Sequence, residues 1–202
     1  NNLKRGIVLN LYGLLITGVT LIIMPSQAVW FGILNCIGCA TLLMLPIHKL
    51  FKALKRFFVS RSGHLTSKNC RLTSKSCEFD CHRALLPASG LLLTLLLFAM
   101  TRNIDDGYLN LLVHHVAMPE WLYTFHPMTI LGFPCTGFTS SHYFPILPWF
   151  FLFLAGYFIW ELICSSSSLV KVFRTNVPVL SRMGKKTIWI YLLHQPLLYA
   201  IA

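Results

Sequence analysis

Apolar residues gather along this chain in long runs, and polar positions gather between them. Five runs read as membrane spans: Gly6 to Met24, Val29 to His48, Ala84 to Met100, Phe144 to Cys164, and Thr187 to the last residue, Ala202. A helix rises about 1.5 Å per residue, so roughly 20 residues cross a hydrocarbon core of about 30 Å. Inside that core the backbone must satisfy its own hydrogen bonds, which a helix does within one segment. The pattern predicts an all-α, polytopic helical membrane protein with about five transmembrane helices, read as a single transmembrane domain over 1–202. The third run is the shortest, and its helix is expected to start inside the basic stretch that precedes it.

The segments between the runs alternate in charge. Lys4 and Arg5 precede the first run, and the Pro25 to Ala28 turn after it carries no charge. Nine Lys and Arg residues lie between the second and third runs: Lys49, Lys52, Lys55, Arg56, Arg61, Lys68, Arg71, Lys75 and Arg83. The segment 101–143 has Arg102 against Asp105, Asp106 and Glu120, and Lys171, Arg174, Arg182, Lys185 and Lys186 fill the last connection. Cytoplasmic loops carry the Lys/Arg excess, so the N-terminus of the chain is expected inside. On this reading 49–83 is a basic cytoplasmic loop and 101–143 an extracytoplasmic one. The net charge of +11 is then a topology signal. Nucleic acid is excluded as a partner, because the chain offers no soluble basic face. The chain opens on Asn1 rather than Met, with no leader, and its last run ends before a polar flank, so further residues at both ends are expected.

Cysteine usage argues against a disulfide framework, since Cys135 alone falls on the outer side. Cys36 and Cys39 sit in the second run, and Cys164 ends the fourth. Cys70, Cys77, Cys81 and the adjoining His82 share the basic loop, but their spacing matches no common zinc pattern; reduced thiols and no metal are expected. Within that loop Lys49 to Phe58 reads as an amphipathic continuation of the second run, able to lie beside anionic headgroups. Its cations suit either membrane lipid or the phosphates of a cytosolic nucleotide donor. Ser60 to Ser76 is polar and reads as a flexible connection.

The outer segment is long, weakly charged and rich in groups that do proton chemistry: His114, His115, His126, His142, Asp105, Asp106 and Glu120. Asp105 and Asp106 are adjacent and read most simply as a solvated turn before Gly107. His114 and His115 lie on an apolar run, Tyr108 to Val116, expected to be a short interfacial helix. Either is a general-base candidate or an interfacial histidine. Next come His142, Tyr143, Phe144, Pro145, Ile146, Leu147, Pro148 and Trp149, with prolines tolerated in the first turns of a span and Tyr143 and Trp149 suited to the interface.

The last passage resembles the aromatic and Pro-rich signature, close to D-Y-F-P-L-L-P-W, of the transmembrane acyltransferase family that includes heparan-α-glucosaminide N-acetyltransferase and its bacterial relatives. Two further segments are similar in order and distance. Phe31, Gly32, Ile33 and Leu34 with Gly38 match its F-G-I-L segment, and Gly184 to Thr187 through Tyr191, Leu192, Leu193, His194, Gln195 and Pro196 match its closing G-x-x-S-L-x-x-Y-L-x-H-Q-P. The likeness covers nearly the whole chain, with Ser60 to Ser76 longer than the family's usual connection. His142 stands where the family has an acidic residue. The family's N-terminal spans, with the histidine associated with acetyl transfer, lie upstream of the point where this chain begins.

The resemblance implies an integral membrane enzyme, in a bacterial cytoplasmic membrane by the form of its motifs. It would move an acetyl group from cytosolic acetyl-CoA to an amine or hydroxyl of an extracytoplasmic sugar or polysaccharide. On that basis His194 and His142 are catalytic candidates. Asn35, Gln195, Asp105, His114 and His115 are candidates for substrate binding, and Lys185, Lys186 and Arg182 for holding the coenzyme. His194 lies seven residues beyond Thr187, about 10 Å into the core from the inner side, where an ionisable group usually faces the bundle interior. Asn35, in the second run, is alternatively helix glue. His48 is expected to reach headgroups, and Glu161 to pair with a basic loop residue or to snorkel. A transporter or flippase for a glycan-related substrate, or an inactive fragment, are the competing readings, and a homo-oligomer is compatible with all of them.

Overall fold

The computed structural model describes residues 2–23, 25, 28–65, 75–111, 114–140 and 142–165, and residues 170, 173, 182, 184, 186–190 and 193 further on. The chain divides into two units, Asn1–Ser165 and Ser166–Ala202. In the second, residues 186–190 and 193 are helical, in the first turns of the expected fifth span; the other residues of that span lie outside the described residues.

The first unit is built on four long helices: α1 (Asn2–Ile23), α2 (Ile33–Leu65), α3 (Lys75–Thr101) and α5 (Ile146–Ser165), with the four-residue α4 (Met128–Leu131) before the last. Over Asn2–Ile23, Ile33–Phe57 and Ile146–Ser165 the helices are long and apolar enough to cross a membrane. The apolar part of α3, Leu85–Thr101, has 17 residues, but its helix starts inside the basic stretch at Lys75, as the sequence predicts. α2 begins four residues later than expected, because 28–32 is irregular, and it continues unbroken through the amphipathic Lys49 to Phe58 stretch.

Small residues decide how the helices pair. α1 buries Gly6, Gly13 and Thr17 against α2, where Gly38 answers them. A Cβ on Gly6 would stand 3.2 Å from the Gly38 carbonyl oxygen, and one on Gly38 would stand 3.0 Å from that of Gly6, so glycine at both positions suits the close approach of the two backbones. α3 and α5 meet in the same way: Gly90 lies under the Phe158 ring, beside buried Thr94, Ala155 and Pro87. Phe51 of α2 completes this core, with its ring centroid 5.2 Å from that of Phe158. The remaining faces expose Leu11, Leu14, Ile22, Leu92 and Leu93, a surface suited to lipid.

The segment between α3 and α5 corrects one expectation. Tyr108 to Val116 is an antiparallel hairpin, β1 (Tyr108–Leu111) with β2 (His114–Ala117), rather than an interfacial helix. Gly107, at φ +95°, ends the turn after α3 in a conformation that stops helix growth, and the Met118 N–H donates to its carbonyl at 2.9 Å to close the hairpin. Across the strands Asn110 faces His115, with His115 Nδ1 2.7 Å from Asn110 Oδ1. A 3₁₀ turn (Glu120–Tyr123) and α4 then lead back to α5. Gly132, at φ +130°, ends α4 where a Cβ would meet the Leu147 carbonyl oxygen at 2.8 Å.

Candidate functional site

Two of the motif segments, 110 residues apart in the chain, join at one end of the bundle. The Phe144 N–H donates to the Phe31 carbonyl at 2.9 Å, and Cys36 Sγ donates to the Pro145 carbonyl at 3.5 Å. The Trp30 N–H donates to Ser140 Oγ at 3.2 Å on the same side. Pro145 brings no N–H to this junction, and its carbonyl serves there as the acceptor for α2. α5 proper then begins past Leu147, whose backbone is extended (φ −90°, ψ 131°).

Asn35 lies in the first turn of α2, directly behind this junction. It is 4 % exposed, and its Oδ1 has no hydrogen-bond partner among the described residues. The amide packs over Gly13 of α1, where any side chain would overlap it. One turn further along α1 and α2 the polar contacts are satisfied: Asn10 Nδ2 donates to the Gly6 carbonyl at 2.9 Å, and Cys39 Sγ donates to Asn10 Oδ1 at 3.4 Å. Cys36 and Cys39 stand at C-x-x-C spacing, yet both are free thiols committed to these separate acceptors. Asn35 is thus a buried acceptor left unused by the described residues, which is costly unless something donates to it.

Above the junction the backbone of His142 passes Gly32, and its side chain is exposed. The neighbouring Tyr143 hydroxyl donates to the Thr129 carbonyl of α4. Burial pushes this hydroxyl well above the usual tyrosine range, and the charges of Asp105 and Cys135 push it the same way. Tyr123 donates to the Ile104 carbonyl at 2.6 Å and is raised by burial, then by Asp105 and Asp106. Both phenols therefore stay protonated donors that brace the segment. Asp105 and Asp106 occupy the solvated turn before Gly107 and are exposed, as are His114 and His115.

At the opposite end of α2 and α5 the structure assembles a second polar group. Lys55 Nζ lies 2.8 Å from Glu161 Oε2, the pairing the sequence suggested. Tyr157 donates to Glu161 Oε1 at 3.4 Å, and His48 Nδ1 is 3.0 Å from the Tyr157 hydroxyl. These residues, with Phe51, Lys52 and Arg56, line an open pocket of about 400 Å³. Tyr157 went unnoticed in the sequence, although its position four residues before Glu161 puts both on one face of α5.

Of the residues singled out from sequence, Asn35 and His142 are brought to the same junction. No hydrogen bond or ring contact among the described residues joins Asp105, His114 or His115 to either. Arg182 and Lys186 are helical and exposed. His194, Gln195 and Lys185 lie outside the described residues, as does Cys70. Among the described residues no group of three His, Cys, Asp or Glu is placed to hold a metal ion.

Comparison with known proteins adds the family. The profile described as heparan-alpha-glucosaminide N-acetyltransferase, catalytic, matches residues 1–66 and 84–196, most of the chain. The match breaks at 67–83, which overlaps the Ser60 to Ser76 stretch that reads as longer than the family's connection. No curated protein and no solved structure matches. With both motif segments bonded to each other in a bundle of apolar helices, the chain belongs to the heparan-alpha-glucosaminide N-acetyltransferase catalytic-domain family of membrane acetyltransferases, and it is an integral membrane protein.

Proposed function

We propose that the protein moves an acetyl group from cytosolic acetyl-CoA to an amine or hydroxyl of a sugar on the other side of a bacterial cytoplasmic membrane, with its N-terminus inside. The observation that carries this reading is Asn35. It is a buried acceptor, unpaired among the described residues, directly behind the joined motif segments of an acetyltransferase family. An amine or hydroxyl acceptor is a donor, the complement that Asn35 Oδ1 lacks.

Acetyl transfer needs a base on the acceptor, donors for the developing oxyanion, and a polar route through the bilayer. The acceptor's lone pair attacks the thioester carbonyl, its proton passes to a base, and the tetrahedral intermediate collapses with loss of the coenzyme thiolate. His142, exposed beside the junction, is the described residue best placed to take that proton. His194 and Gln195 of the closing motif are assigned to the intramembrane route. Arg182, Lys185 and Lys186, at the cytoplasmic start of that span, are assigned to the coenzyme phosphates. Asp105, His114 and His115 are assigned to the approach of the sugar.

The test is transfer of labelled acetyl from acetyl-CoA by the full-length protein in sealed vesicles, offered amino sugars and polysaccharides. Label in a glycan acceptor, lost in His194→Ala, is the expected result. Absence of transfer to every acceptor, with the protein folded, overturns the reading.

A further inference from the structure

The pocket at the far end of α2 and α5 is not needed for chemistry at the Asn35 junction, and its construction points to a different ligand. His48, Phe51, Lys52, Lys55 and Arg56 recur at intervals of three and four, so they share one face of the α2 tail. Leu50, Leu54 and Phe57 occupy the other side of the same turns, and all three are exposed. Three cations meet a single carboxylate in the pocket. Glu161 is engaged by Lys55, while Lys52 and Arg56 are exposed and have no ion-pair partner among the described residues. Phe51 and Tyr157 form its apolar wall, with ring centroids 5.8 Å apart.

We propose that this pocket seats the phosphate headgroup of an anionic phospholipid, held by Lys52 and Arg56. Arginine binds phosphate through two parallel N–H bonds and lysine as a point charge, so the two cations suit a phosphodiester. The exposed Leu50, Leu54 and Phe57 set the opposite side of the tail in the acyl layer, as an interfacial amphipathic helix does. A soluble phosphate ester would use the same cations and gain nothing from those apolar side chains. The Lys55–Glu161 pair engages the pocket's third cation and sets a carboxylate beside the phosphate's seat. The inference rests on the membrane reading alone and is independent of acetyl transfer.

The experiment is a lipid titration of the purified full chain in neutral detergent, read by native mass spectrometry, with phosphatidylglycerol and phosphatidylcholine as probes. Phosphatidylglycerol should bind at least tenfold tighter than phosphatidylcholine. Lys52→Gln and Arg56→Gln should each weaken phosphatidylglycerol about fivefold and leave phosphatidylcholine unchanged, since a juxtamembrane cation contributes about that factor. Arg56→Lys should recover most of the loss. Glu161→Gln, which frees Lys55, should tighten phosphatidylglycerol severalfold, an effect that a purely structural ion pair would not produce. Equal binding of the two lipids, or indifference to the three neutralising substitutions, overturns the proposal. So does displacement of phosphatidylglycerol by inorganic phosphate or coenzyme A at concentrations below that of the lipid, which would assign the pocket to soluble phosphate esters.

Discussion

Asn35 and Tyr143 show opposite uses of a buried polar atom. Tyr143 has its acceptor in the Thr129 carbonyl, and Tyr143→Phe should cost about 1 kcal/mol of stability, measured by thermal unfolding in detergent. Its proton is bound more tightly in the fold than in the unfolded chain, whose tyrosine titrates near 10.0. The stability it contributes is therefore fully present below that pH and falls as pH rises toward the raised folded value. In Tyr143→Phe the alkaline part of the stability profile should be flatter. Asn35 has no such partner at Oδ1 among the described residues, so Asn35→Leu should leave stability unchanged or raise it by about 1–3 kcal/mol while acetyl transfer falls more than tenfold. A large loss of stability instead would make Asn35 helix glue.

At the scale of elements the decisive contacts are between small and large residues on facing helices. A Cβ on Gly90 would stand 2.5 Å from the Phe158 ring, too close for either helix to keep its place. Gly90→Ala gains about 1 kcal/mol of helix propensity, yet overpacking costs about 1–3 kcal/mol, so a net loss of stability is expected on thermal unfolding. Adding Phe158→Leu should return part of it, and independent effects of the two substitutions would count against this packing. The hairpin belongs to this scale too. An apolar run of nine residues with two histidines suits a helix or two short strands equally well, and the cross-strand pairing, from Tyr108 with Ala117 to Leu111 with His114, is a tertiary outcome that the run does not spell out.

For the molecule as a whole, orientation is the open physical question, and two native cysteines report on it. Cys135 lies between α4 and α5, and Cys164 is exposed near the other end of α5. An N-terminus inside places Cys135 outside and Cys164 within the cell. A membrane-impermeant maleimide applied to intact cells should label Cys135, and Cys164 only after permeabilisation, as mapped by peptide mass spectrometry. The reverse pattern would invert the proposed direction of acetyl transfer.

The sequence alone determined the membrane class, the four long helices of the first unit and the family, because each is written in local signals: twenty-residue apolar runs, loop charge and short motifs. It also marked Asn35, as a polar residue in an apolar run, and Glu161 as half of an ion pair. It did not determine that Phe31 bonds to Phe144, that Gly13 packs under Asn35, or that Tyr157 links His48 to Glu161. Those contacts join residues from separate helices, and in a bilayer such pairings are chosen by close packing and hydrogen bonding rather than by apolar burial. Which small residue meets which large one is a property of two surfaces together, so only the tertiary structure decided it.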